Sequence, residues 1–195
     1  DGKGGRIVLW SEDLTQVAGR LSARGGAQGG DGGFIETSAA RQLDLQSTPD
    51  ASAPQGRAGE WLIDPYNLTI VAGAGSTNAS GLTATGDNAQ VGADLITSAL
   101  NSGTSVTVST GDPSGGTQSG DLTVAAAINT TTPTLGGAPT LTLNANRNIS
   151  INAAITAGDA GGALNLALNA NQGGGGGTAS TNSAIRLGGG DLTTS

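Results

Sequence analysis

The run Leu141-Thr142-Leu143-Asn144-Ala145-Asn146-Arg147-Asn148-Ile149-Ser150-Ile151-Asn152-Ala153 places apolar side chains at 141, 143, 145, 149, 151 and 153. Arg147 alone breaks a period of two. That period gives a strand one dry face and one wet face. The pattern returns in 163–170, with Leu164, Leu166 and Leu168 in phase, and in Ser105-Val106-Thr107-Val108 and Asn67-Leu68-Thr69-Ile70. Clusters of Gly, Asn, Asp and Ser separate these stretches at 72–77, 111–120, 158–162 and 172–178. Gly and Asn accept turn conformations cheaply, so the clusters read as loops. Short alternating strands punctuated by such loops predict an all-β chain.

The composition removes many alternatives. The chain has 195 residues, 35 of them Gly, with no Cys, Met or His and only two Trp, one Tyr and one Phe. Disulfide scaffolds, ordinary zinc sites and Ser-His or Cys-His catalysis are excluded. A helical bundle is disfavoured by the glycine and small polar content. Collagen is excluded because the glycines keep no period of three. A net charge of −7 argues against nucleic acid and against docking on anionic lipid. No apolar run approaches the length of a membrane span, so no membrane insertion is expected. With Ala, Leu, Ile and Val as almost the whole apolar set, a thin core is easier to fill than a wide one.

Self-similarity sharpens the architecture. Residues 120–130 (GDLTVAAAINT) resemble 147–157 (RNISINAAITA) at an offset of about 27. The LTLNAN of 141–146 resembles the LALNAN of 166–171 at about 25. Repeats of this length suit the coils of a parallel β-helix, where each coil needs its neighbours to bury its face. Eight or nine coils are expected. The rival, a β-sandwich, would use tight hairpins and inward aromatics. Asn-Gly and Asp-Gly pairs are scarce, and 67–195 has no aromatic residue. Residues 1–71 carry most of the charge and all the aromatics, and 72–195 are Gly/Ala/Thr/Asn-rich repeats with projecting loops. Both are read as parts of one continuous solenoid.

The first 71 residues resemble a known family. Gly5-Arg6-Ile7-Val8-Leu9-Trp10-Ser11, the GGFIETS of 32–38, and above all the stretch ending in Trp61-Leu62-Ile63-Asp64-Pro65-Tyr66-Asn67-Leu68-Thr69-Ile70 look like large exoproteins of the filamentous haemagglutinin type. These are exported by two-partner secretion. The resemblance implies a right-handed parallel β-helix, cell-surface adhesion and an outer-membrane transporter partner. The family's amino-terminal secretion motif is not found here, so the segment resembles the shaft beyond it. The resemblance further implies a secreted, bacterial cell-surface location and a receptor or glycan on a host or neighbouring cell as partner. End-to-end self-association into filaments is the main alternative. An ice-binding solenoid and a polysaccharide-active enzyme are lesser ones.

Candidate chemistry is sparse. The concentrated acids, Asp31, Glu36, Asp44, Asp50, Glu60 and Asp64, share no spacing that holds two carboxylates at one substrate. The glycine-rich stretch 25–33 has one Asp where a calcium repeat needs several. No catalytic residue, cofactor or metal site is therefore assigned. The sequons at Asn67, Asn78, Asn129 and Asn148 are candidate glycan acceptors, although their number matches composition. Asn144, Asn146, Asn148 and Asn152 are expected to stack with Asn of adjacent coils. Thr107, Thr123, Thr140 and Thr142 are read as wet-face residues. Among the aromatics, Phe34 and Trp61 are expected in the core rather than on a sugar platform with Trp10 and Tyr66. Leu141, Leu143, Ile149 and Ile151 are expected to line the core.

Overall fold

The computed structural model describes residues 2–40, 42–73, 89–111, 119–131, 137–158 and 162–195. In chain order the strands are β1 (Arg6–Ser11), β2 (Leu14–Val17), β3 (Phe34–Ala39), β4 (Gln42–Leu45), β5 (Glu60–Ile63), β6 (Leu68–Val71) and β7 (Ala89–Gly92). Helix α1 (Ala93–Asn101) follows. Then come β8 (Ser105–Ser109), β9 (Leu122–Val124), β10 (Ile128–Thr130), β11 (Thr140–Asn144), β12 (Ile149–Ile151), β13 (Ile155–Ala157), β14 (Asn165–Asn169), β15 (Ala179–Thr181), β16 (Ile185–Arg186) and β17 (Leu192–Thr194).

The strands form parallel sheets, so the chain is β-rich with a single helix among the described residues. The longest sheet runs β1-β3-β5-β8-β11-β14-β17. A second runs β15-β12-β9-β6-β7, a third β10-β13-β16, and β2 pairs with β4. Each pairing within these sheets is parallel. From β8 onward the chain visits the three larger sheets in a fixed order, as β8-β9-β10, β11-β12-β13 and β14-β15-β16.

Register explains why small aliphatics suffice. Inward residues stack in rows along the longest sheet: Ile7, Ile35, Trp61, Val106, Leu141, Leu166 and Leu192. Leu68, Leu122 and Ile149 make a row in the second sheet, and Ile128, Ile155 and Ile185 one in the third. Each side chain meets its like one rung away, about 4.8 Å distant. Leu141, Leu143, Ile149 and Ile151 all lie in this core, at most 1% exposed.

The run 141–153 is not one strand. β11 and β12 belong to different sheets, and Ala145 to Asn148 turn the corner between them. Arg147 breaks the alternation because it sits at that corner, exposed. Among the described residues the longest sheet has seven strands, where eight or nine coils are expected, and the steps between them are unequal. Leu141 to Leu166 is a short step, but Trp61 to Val106 contains β7 and α1.

That insertion is the main departure from a uniform repeat over 72–195. β7 pairs on the side of β6 away from β9, so the chain steps back along the second sheet before resuming. α1 then packs against β10, burying Ala93, Leu95, Ile96, Ala99 and Leu100. Its Asn101 Oδ1 accepts a hydrogen bond from the Thr131 amide at 3.0 Å. The helix covers an edge of the third sheet that would otherwise be open.

Candidate functional surface

The outer face of the longest sheet changes character along its length. On β1, β3 and β5 the outward residues are Arg6, Val8 and Trp10, then Phe34, Glu36 and Ser38, then Glu60 and Leu62. On β8 and β11 they are Ser105, Thr107 and Ser109, then Thr140, Thr142 and Asn144. Two of the aromatics, Trp10 and Phe34, and two acids, Glu36 and Glu60, therefore share one end of one face. Trp10 is 57% exposed.

Phe34 is a correction to the expected core placement. Strand alternation sends Ile35 and Thr37 inward and Phe34 outward, where it is half-buried beneath the Arg6 guanidinium, 4.7 Å from the ring centre. Trp61 is fully buried as expected. Its Nε1 donates to Thr37 Oγ1 at 2.8 Å, which explains a hydroxyl inside the apolar row.

Beside Arg6, Phe34 and Glu60 lies a shallow groove of about 530 Å³, floored by Gly4-Gly5, Gly32-Gly33 and Ala58-Gly59. These glycines serve close backbone packing. A Cβ on Gly33 would collide with the Gly5 carbonyl oxygen just before β1, and one on Gly32 with that of Ala51.

The acids divide into two sets. Asp31 pairs with Arg57 at 3.2 Å and with Lys3 at 3.9 Å. The Arg57 amide and guanidinium hold its carboxyl below the usual range. This engagement leaves 25–33 a glycine-rich turn. Asp50 meets Arg24 at 3.0 Å and Arg20 at 3.6 Å. Burial works to raise its pKa, but Ser52 and Arg24 outweigh burial and leave it lowered. Asp44 is buried and accepts from Gln16 and Gln46 through Oδ2. Glu60 accepts from Thr107 at 2.5 Å.

Glu36 and Asp64 form the second set. Sequence spacing finds no carboxylate pair, yet adjacent strands bring these two within electrostatic reach. Burial raises the Asp64 pKa and the Glu36 charge adds to it, against an opposing Ser109 hydroxyl. No spacing rule could reveal this, since the contact depends on strand register. Among the described residues there is no group of three or more His, Cys, Asp or Glu placed to hold a metal.

The sequons differ in availability. Asn67 is half-buried, and its Oδ1 accepts from the Asp121 amide at 2.9 Å. Asn148 donates through Nδ2 to Asp121 and accepts from the Thr178 amide at 3.1 Å. Asn129 is exposed and accepts from Thr156 Oγ1. Asn78 lies outside the described residues.

Asn pairing between neighbouring segments of the chain occurs at two of the four expected positions. Asn169 Nδ2 donates to Asn144 Oδ1 at 2.8 Å, and Asn182 Nδ2 to Asn152 Oδ1 at 3.1 Å. Asn148 instead serves Asp121, and the Asn146 amide donates to Thr110 Oγ1 at 3.1 Å. The threonine row is discontinuous: Thr107 faces Thr142, but Ala167 follows. The 172–178 loop folds back on Ala145 and Asn146. Its Gly173 amide donates to Asn146 and its Gln172 amide to Ala145. Most of the 111–120 loop lies outside the described residues.

Compared with known proteins, the chain matches no family model and no curated protein at significance. Among the described residues, no helix is long and apolar enough to cross a membrane.

Proposed function

We propose that this chain is a right-handed parallel β-helix serving as a non-enzymatic shaft segment of a large secreted bacterial surface adhesin. The observation that carries the rod reading is the fixed order in which, from β8 onward, successive segments supply one strand to each of three parallel sheets. Rows of identical inward positions and inter-coil hydrogen bonds make each coil depend on its neighbours, so local opening costs more than one coil's contacts. Such a rod transmits position and resists extension. The adhesin reading rests on the resemblance of GGFIETS and WLIDPYNLTI to exoproteins of the haemagglutinin type. In that reading an outer-membrane transporter engages another region of the parent, and receptor or glycan binding is displayed along or beyond the rod.

The test is deletion of whole coils from the parent, for example 137–162, rejoining the chain in register. Cell attachment should persist with a shortened projection in electron micrographs. Complete loss of attachment with surface display intact would place binding within the coils and overturn the shaft reading.

One observation favours a second reading, self-assembly into filaments. β1 and β17 are outer strands of their sheet, and Val8, Trp10, Leu14 and Leu192 are exposed large apolar residues near the two ends of the stack. Concentration-dependent fibres in the electron microscope would support it, and a monomer in sedimentation at high concentration would count against it.

A further inference from the structure

Two buried oxygens on the outer face of the longest sheet lack partners. Ser38 is fully buried, and its Oγ makes no hydrogen bond; Asp64 Oδ1 is likewise buried and unpaired. They are neighbours by register. Glu36 faces Leu62 and Ile63 faces Val108. Continuing those pairings places Asp64 between Ser38 on one side and Ser109 on the other. Glu36, two residues before Ser38, projects from the same face and is half-exposed.

Orphaned buried oxygens are rare, and each implies a missing proton, water or ion. A water could satisfy the hydroxyl but would leave two neighbouring carboxylates without a cation among the described residues. The ion pairs of the described residues go elsewhere: Lys3 and Arg57 to Asp31, Arg20 and Arg24 to Asp50, Arg147 to Asp121. Among the described residues no Lys or Arg pairs with Glu36 or Asp64. The donor set is all oxygen, two carboxylates and two hydroxyls, with no nitrogen or sulfur to select a softer metal. Calcium accepts irregular oxygen sets and completes its shell with water, whereas magnesium demands an octahedron.

We propose that Glu36, Ser38, Asp64 and Ser109 form a binding site for a hard divalent cation of the calcium class, joining the coils of β3, β5 and β8 across the outer face of the sheet. The ion satisfies both orphaned oxygens at once. It also ties the last coil before the β7–α1 insertion to the first coil after it, where the repeat is interrupted and cross-coil contacts are most useful.

The test uses the whole chain, titrated with calcium by calorimetry and with terbium by luminescence. Trp10 faces Ser38 on the neighbouring strand and is positioned to sensitise a bound lanthanide. The expected result is one saturable site, terbium displaced by calcium, and a rise of a few degrees in the unfolding midpoint at saturating calcium. Asp64→Asn and Glu36→Gln should each weaken binding at least tenfold, and Ser38→Ala several-fold. Asp50→Asn, in an acid already paired with arginines, should leave affinity unchanged. The proposal is overturned by absence of saturable binding, by unchanged affinity in both Asp64→Asn and Glu36→Gln, or by a midpoint rise that magnesium reproduces in full.

Discussion

The segments before α1 and those after it share the longest sheet and fill it differently. Before the helix, the inward row holds Ile35 and Trp61 with Thr37 hydrogen-bonded to the indole, and long-range ion pairs tie Arg57 to Asp31 and Arg24 to Asp50. After it, the rows of β8, β11 and β14 are Val and Leu, and the wet face is tied by amides such as Asn144 and Asn169 beside the ion pair of Asp121 with Arg147. The parallel ladder supplies the common frame, so side chains need only match the rung above and below. A single large aromatic and a set of interchangeable aliphatics are two solutions of the same packing problem.

The two solutions should fail differently. Trp61→Ala removes the largest buried side chain and strands the Thr37 hydroxyl, and about 3–5 kcal/mol of stability should be lost. Leu143→Ala, between Val108 and Leu168, should cost about 2–4 kcal/mol. Urea titrations followed by circular dichroism measure both. If Leu143→Ala proved the costlier, the aliphatic coils would be the more tightly fitted and the comparison would reverse.

Those two residues also mark what could be read in advance. Leu141, Leu143, Ile149 and Ile151 declared themselves by alternation, because period two survives wherever one sheet face is dry. Trp61 declared itself by its apolar neighbours. Phe34 did not, since it begins its strand and its phase depends on where pairing starts. α1 was missed although Leu95, Ile96, Ala99 and Leu100 follow helical spacing, because the surrounding glycine-rich texture pointed to loops and strands. The meeting of Glu36, Ser38, Asp64 and Ser109 was illegible for a deeper reason. It is fixed by register between strands joined by segments of unequal length, and no local pattern encodes that.

Asp64 offers a prediction of opposite sign. Its pKa is raised on folding, chiefly by burial. The stability linked to it is therefore fully present below the unfolded value and is lost as pH rises through the folded one. In chelator at neutral pH, Asp64→Asn should stabilise the protein by about 1–3 kcal/mol, because it replaces an uncompensated buried charge. The gain should vanish near pH 3. Thermal melts across pH measure this. With calcium present the substitution should instead destabilise. A variant less stable than the parent in chelator would mean that the charge is already compensated.

The smallest effects separate ionic from amide ties between coils. Asp121 accepts from the Arg147 guanidinium and from the Asn148 amide and side chain. The Arg147 hydrogen bond is the main cause of its lowered pKa. Both partners are substantially exposed, so solvent screening reduces the pair's worth, and Asp121→Ala should cost about 1 kcal/mol. That contribution is present above the unfolded pKa and is lost as pH falls through the folded one. Asn169→Ala, which breaks the bond to Asn144, should cost about 0.5–1 kcal/mol at every pH. The two variants converge in acid and diverge at neutral pH if the ties differ in kind. Parallel pH profiles would mean that the charge of Asp121 adds nothing to its hydrogen bonds, and that ionic and amide ties in the segment after α1 do not differ in kind.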